Sequence, residues 1–178
     1  MREWYGIKKN NDNMLTKDFG KSFVKNGTHD KVMTPEKMAK KIINLYKIKG
    51  VVLDPCKGMG AFYNNFPKNC IKDFCEIDEN KDFFKYNKKV DWIITNPPYS
   101  IFEEFLKHSQ ILSDNIVFLI PMSKAFSSLK RLKMIFNYGN IYSIHIVGAS
   151  QCGFPFGFPA CSLYIKKNYT GDTKILLL

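Results

Sequence analysis

No stretch of this 178-residue sequence is apolar for the roughly 18 residues that a membrane-spanning helix needs, so no membrane association is expected. Its first residues, Met1-Arg2-Glu3-Trp4-Tyr5, lack the apolar core of an export signal, and a cytoplasmic location is the expectation. Histidine is scarce: His29, His108 and His145 match no metal-ligand spacing. Five cysteines, at 56, 70, 75, 152 and 161, are odd in number and contain no Cys-x-x-Cys pair, which argues against a disulfide framework and against a zinc site; no metal is expected. Internal repeats and low-complexity tracts are absent. Acids are the minority, 16 against 27 Lys and Arg, for a net +11, of which +8 falls before residue 90. A chain so poor in negative charge suits a polyanionic partner, because basic side chains release counterions from a phosphate backbone.

Hydrophobic residues make up 45% of the chain, enough for a buried core, and the length favours one folded domain. Residues 1–33 are polar and basic and read as an N-terminal arm, with a short helix near Leu15–Val24; the domain proper is expected over 34–178. Thr34-Pro35-Glu36 has the pattern of a helix start, with Thr as cap and Pro in the first turn. Val51–Leu53, Ile71–Ile77, Asp91–Thr95 and Asn115–Ile120 read as strands. Helices are expected after Gly60, over the segment containing Phe102, Phe105 and Leu106, and over 124–137. Ile141–Val147 and Pro159–Lys166 read as a closing antiparallel pair, with Thr173–Leu178 as a last edge strand. Apolar strands alternating with helices predict an α/β fold with a mainly parallel sheet and a C-terminal antiparallel pair. Ligands in such sheets bind beyond the carboxyl ends of the strands, where Asp54, Glu76, Asn96 and Pro121 would converge.

Two segments carry chemistry. In Asp54-Pro55-Cys56-Lys57-Gly58-Met59-Gly60, the glycines permit a sharp turn and a close ligand approach, and the leading acid suits a cationic or donor-bearing ligand. The spacing is not that of a nucleoside-triphosphate loop. Glu76, at the end of the next strand, is positioned to accept ribose hydroxyls, with Asp78 as a second candidate. In Asn96-Pro97-Pro98-Tyr99, the prolines fix the backbone and remove two donors, the Asn side chain adds an acceptor, and Tyr99 offers a flat surface to a planar substrate. An amino group held by two acceptors has its lone pair turned toward an electrophile.

Asp-Pro-x-x-Gly-x-Gly followed by Asn-Pro-Pro-Tyr resembles the S-adenosylmethionine-dependent amino-methyltransferases, above all the adenine-specific (N6) DNA enzymes whose cofactor half comes first. The likeness covers roughly residues 32–166 and implies a Rossmann-like class I methyltransferase fold. It implies a cofactor site of Thr34, Pro35, Asp54, Pro55, Gly58, Gly60, Glu76, Asp82 and Phe83, with Thr34-Pro35 at the methionine end and Asp82-Phe83 at the adenine. It implies a catalytic turn of Asn96, Pro97 and Tyr99. Pro98, together with Phe154, Phe156 and Phe158 of the late segment Gly153–Pro159, would contact the substrate base.

Two departures from the family stand out. Only five residues, 77–81, separate Glu76 from Asp82, too few for a parallel crossover of a dozen or more, so either a helix is missing or Asp82-Phe83-Phe84 is not a normal strand. Little chain follows the late aromatic segment, where sequence-specific relatives carry a target-recognition region; specificity would then come from short loops, the basic arm or a protein partner, or be low. The expected reaction is methyl transfer to adenine in nucleic acid, DNA ahead of RNA. Methylation of a protein glutamine amide and a non-catalytic, nucleic-acid-binding subunit of the same fold are the competing readings.

Overall fold

The computed structural model describes residues 32–154 and 157–178, which belong to one compact unit, Val32–Leu178. The N-terminal arm with its expected helix at Leu15–Val24, and Phe156 of the late segment, lie outside the described residues. Among the described residues seven strands form a single sheet: β1 (Val51–Asp54), β2 (Ile71–Phe74), β3 (Val90–Thr95), β4 (Ser113–Pro121), β5 (Gly139–Val147), β6 (Ala160–Lys167) and β7 (Lys174–Leu177), in the order β2-β1-β3-β4-β6-β5-β7. The four strands from β2 to β4 are parallel to their neighbours. β6 runs antiparallel to both β4 and β5, and β7 pairs in parallel with β5. This is the mainly parallel α/β sheet with a closing antiparallel pair that the strand pattern predicts. Among the described residues no helix is long and apolar enough to cross a membrane.

Strand side chains alternate between the two faces. On β4, Ile116, Phe118 and Ile120 join one cluster with Phe102, Phe105, Leu106 and Leu112 of helix α2 (Phe102–Leu112). Val117 and Leu119 join the other, with Met38, Ala39, Ile42 and Ile43 of helix α1 (Glu36–Ile43). Burial on both faces explains why β4 reads as an unbroken apolar run rather than an alternating one.

Several local expectations are corrected. The glycine loop does not open onto an α-helix; turns follow it, then a single 3-10 turn at Tyr63–Asn65. Only six residues lie between Gly60 and Pro67, and Asn64 and Asn65 are weak helix formers, so there is no room for a stable helix. Phe62 and Phe66 of this short segment are buried instead in the α1-side core. β2 ends at Phe74, short of the expected Ile77. Asp82-Phe83-Phe84 is not a strand: 3-10 turns at Ile77–Glu79 and Phe83–Lys85 carry the chain directly to β3, and the crossover helix is missing. Thr34 does not cap α1; the cap position is Pro35, with no side-chain cap bond, and its carbonyl accepts from the N–H groups of Met38 and Ala39. The basic helix expected over 124–137 is two helices, α3 (Met122–Phe126) and α4 (Leu129–Tyr138), because the Ser128 side chain accepts from Arg131 N–H and starts a new helix.

Phe105 is buried with its ring centroid 4.4 Å from that of Phe83 and 6.2 Å from that of Phe118. Phe105→Ala should destabilise the fold by about 3–5 kcal/mol in urea titration. Leu177, 86% exposed on the edge strand, should change by less than about 0.5 kcal/mol when replaced by Ala.

Candidate active site

Parallel pairing of β1 with β3 sets Val52 beside Trp92 and Leu53 beside Ile93, so the two turns that follow, at Asp54 and at Asn96, leave the sheet side by side. They are joined directly. Thr95, the last residue of β3, is fully buried, and its hydroxyl donates to Asp54 Oδ1 at 2.8 Å. The Cys56 N–H donates to the same oxygen at 3.3 Å. Asp54 Oδ2 is buried with no hydrogen-bond partner among the described residues. Burial pushes the Asp54 carboxyl up to about 7; the Thr95 and Cys56 bonds and the nearby Tyr63 N–H offset this only in part, and the Glu76 charge adds to it. A buried carboxyl with one orphaned oxygen is the arrangement expected where a cationic or donor-bearing ligand completes the site.

The glycine loop is held from below and from one side. Lys57 N–H donates to Cys75 O at 3.0 Å, and Gly60 N–H donates to Lys57 O at 2.7 Å. Gly58 and Gly60 adopt φ of +51° and +86°, the left-handed region that favours glycine. Glu76 faces the loop: its Oε2 accepts from Gly58 N–H at 2.6 Å and its Oε1 from Asp78 N–H at 3.3 Å. Lys57 pairs with Glu79, and its ammonium lies 4.0 Å from the Phe74 ring centroid. Pro55 is buried beneath the turn.

The Asn96 turn is braced from three directions. Asn96 Nδ2 donates to Val32 O at 3.0 Å and to Thr34 Oγ1 at 3.2 Å. Asn96 Oδ1 accepts from the Tyr99 hydroxyl at 2.7 Å. Lys124 Nζ donates to Tyr99 O at 3.2 Å. Pro97 is buried and Pro98 half-buried. The Phe154 ring stands edge-on to Tyr99, centroids 5.9 Å apart at 85°, and Phe154 is buried in the α1-side core. Gly153, at φ +73°, is so close to the start of α1 that a Cβ there would lie 3.1 Å from Met33 O and 3.4 Å from Pro35 Cδ. The late segment therefore sits against both Thr34-Pro35 and the Asn96 turn. Phe158 is 43% exposed at the same end of the sheet, where Pro159 O accepts from Met122 N–H.

Of the residues expected to form a site, Thr34, Asn96, Tyr99 and Phe154 are linked by bonds or ring contact, as are Asp54, Gly58 and Glu76 by the loop. Asp82 and Phe83 stand differently. Asp82 Oδ1 accepts from Phe84 N–H at 2.9 Å, and Phe83 is buried against Phe105 and His108. Thr95, Lys124 and the Val32 carbonyl are additions that sequence reasoning missed. Thr95 had a signal, a hydroxyl ending an apolar strand beside Asn96; Lys124, 25 residues from its partner, had none.

Because the Asp54 pKa is raised on folding, the native state binds the extra proton, and this contribution to stability is lost as pH rises from about 4 through about 7. Asp54→Asn should flatten that decline in urea titrations across the pH range; an unchanged pH profile would contradict the buried, orphaned carboxyl.

No protein-family model and no curated protein matches the sequence. Solved structures do match in three dimensions. A protein of Listeria monocytogenes assigned to the class I S-adenosylmethionine-dependent methyltransferases matches with a TM-score of 0.69 at 15% identity, covering 92% of this chain and 71% of the other. An archaeal protein of Pyrococcus horikoshii assigned as an RNA methyltransferase matches at 0.57 and 19% identity, over 76% and 87%. The methyltransferase subunit of a type I restriction-modification system from Streptococcus thermophilus matches at 0.63 and 15% identity, over 82% of this chain and 46% of that subunit. The chain thus has the Rossmann-like fold of class I methyltransferases.

Proposed function

We propose that this chain transfers a methyl group from S-adenosylmethionine to the exocyclic amine of adenine in nucleic acid, DNA ahead of RNA. The observation that carries this reading is the Asn96 carboxamide directly after β3, its nitrogen engaged by Val32 and Thr34 and its oxygen bonded to the Tyr99 hydroxyl, while the preceding residue, Thr95, is bonded to Asp54. Site and fold support it together, since the matched structures include one named as the methyltransferase subunit of a type I restriction-modification system and one assigned as an RNA methyltransferase.

The residues present fit the cofactor. Asp54 Oδ2 would take its ammonium, Glu76 its ribose hydroxyls, and the glycines would admit its backbone-hugging portion. Thr34 and Pro35 would lie at the methionine end, and the second oxygen of Asp82, with the edge of Phe83, at the adenine. Bound there, the cofactor supplies an electrophilic methyl on a sulfonium centre. The chain does the rest by orientation. Asn96 Oδ1 and the Pro97 carbonyl accept the two amine hydrogens, which turns the nitrogen lone pair out of conjugation and toward the methyl. Tyr99 stacks on the base, worth roughly 1–3 kcal/mol, and offsets part of the cost of extruding it from a duplex. Pro98, Phe154 and Phe158 supply the remaining wall. Transfer is direct, from cofactor to amine, and needs no covalent intermediate; the buried thiols of Cys75 and Cys161, pushed up to about 12 by burial, and of Cys152, pushed up to about 11, are poor nucleophiles. Phosphate contacts fall to the basic arm and to exposed lysines such as Lys107 and Lys133; on the same face Lys130 is paired with Glu103 and Lys124 with Tyr99 O.

Radiolabelled methyl transfer to DNA, RNA and protein in parallel, with nucleoside analysis of the product, tests the reading; label confined to glutamine in protein, or none at all, would overturn it. Asn96→Ala should keep cofactor binding and lose turnover by about two to three orders of magnitude. Affinity for DNA should fall steeply with salt, and a salt-independent affinity would argue against phosphate contacts.

A further inference from the structure

An asparagine carboxamide presents two ends of nearly equal shape and opposite character, an acceptor oxygen and a donor NH2. A half-turn about its terminal torsion would set a donor against the donor hydrogens of an amine, and the acceptor on which the proposed chemistry depends would be lost. Something must fix which end faces the substrate. The Tyr99 hydroxyl bonded to Oδ1 does not, because a hydroxyl can donate or accept and would serve either end. The Val32 carbonyl, 3.0 Å from Nδ2, can only accept and so selects the nitrogen. Thr34 Oγ1, 3.2 Å from Nδ2, takes the second hydrogen. Both N–H groups of Asn96 are thus engaged by residues more than 60 positions earlier in the chain, just ahead of α1.

That segment is itself held. The late loop packs on it at Gly153, where even a methyl group would stand 3.1 Å from Met33 O. Thr34 is half-buried and caps no helix, so its side chain has no other structural duty of the kind its sequence context suggests. A hydroxyl that accepts from Asn96 keeps its own hydrogen to donate elsewhere. With the nitrogen end already selected by the Val32 carbonyl, the Thr34 hydroxyl meets a donor and acts toward Asn96 as an acceptor, and the pair of bonds holds the carboxamide.

We infer that Thr34 is a positioning residue for Asn96: its hydroxyl, with the Val32 carbonyl, fixes the carboxamide so that Oδ1 is presented to the substrate amine. The inference rests on the amino-methyl transfer proposed above, and it assigns Thr34 a role beyond touching the methionine end of the cofactor.

Two measurements test it, one independent of activity. In the unliganded chain, the side-chain amide protons of Asn96, identified in a 15N–1H spectrum by their loss in Asn96→Asp, should both be hydrogen-bonded. Thr34→Val keeps the side-chain shape and removes the acceptor; one of the two resonances should move upfield and exchange faster with water, while Thr34→Ser should retain the wild-type pattern. Unchanged Asn96 resonances in a folded Thr34→Val variant would overturn the inference whatever the chain methylates. In turnover, Thr34→Val should lower kcat about ten- to a hundredfold at saturating cofactor, the scale of one lost hydrogen bond to a partly buried amide, and Thr34→Ser should restore it. Full recovery of kcat in Thr34→Val once cofactor saturates would reduce Thr34 to a cofactor contact and also overturn it. An inactive wild type would instead reject the adenine reading and leave the spectrum to decide on Thr34.

Discussion

The Thr95 hydroxyl bonded to the Asp54 carboxylate is the interaction on which the site depends. It lies at zero exposure, where a charge is very costly and an unpaired polar group costs several kcal/mol at most. It also joins the ends of two adjacent parallel strands. The loop that follows one strand and the turn that follows the other are therefore fixed relative to each other by a single short bond rather than by the long connections between them. The Asp54 carboxyl faces the glycine loop and Asn96 begins the proline turn, so the two halves of the candidate site share one rigid base. A defect at Thr95 would be felt in both.

Around this base the fold is spare. The segment after the glycine loop is too short for a helix, and the crossover between β2 and β3 has none. Phe62, Phe66 and α1 cover one face of the central strands, while Phe83 reaches the core beneath α2 from a 3-10 turn. Aromatic side chains take the place of helical layers, which a chain with 15 Phe and 9 Tyr can provide. The result keeps the sheet buried where its strands end at the rim and leaves the outer strands more exposed.

Much of this was legible in the sequence. Unbroken apolar runs ending in Asp54 and Asn96 marked strands buried on both faces, and the tail of the chain read correctly as an antiparallel pair with an edge strand. The failures were of two kinds. The helix expected after Gly60 was a local misreading, and Pro67 was its overlooked signal. The role given to Thr34 as a helix cap was also local and reasonable, yet its hydroxyl is used by Asn96, 62 residues away. The Lys124 bond to Tyr99 and the approach of Gly153 to Met33 belong with it. Such contacts join distant positions through the sheet topology, and no period or spacing in the chain announces them. Phe83 illustrates the converse: an aromatic in a motif-like run is buried against Phe105 and His108, so hydrophobic packing accounts for most of its surface.

The bond from Gly58 N–H to the Glu76 carboxylate has a consequence for how a ligand would meet this loop. Glycine-rich turns are the most freely moving backbone in an unfolded chain, and ordering them is costly. Here Glu76, anchored at the end of β2, already holds the turn at Gly58, and Lys57 is tied to Cys75 beneath it. The loop's conformational entropy is surrendered when the chain folds, not when a ligand arrives. Association at this edge of the site would then be that of a preformed cradle, with the hydrogen bonds of Glu76 redistributed rather than created.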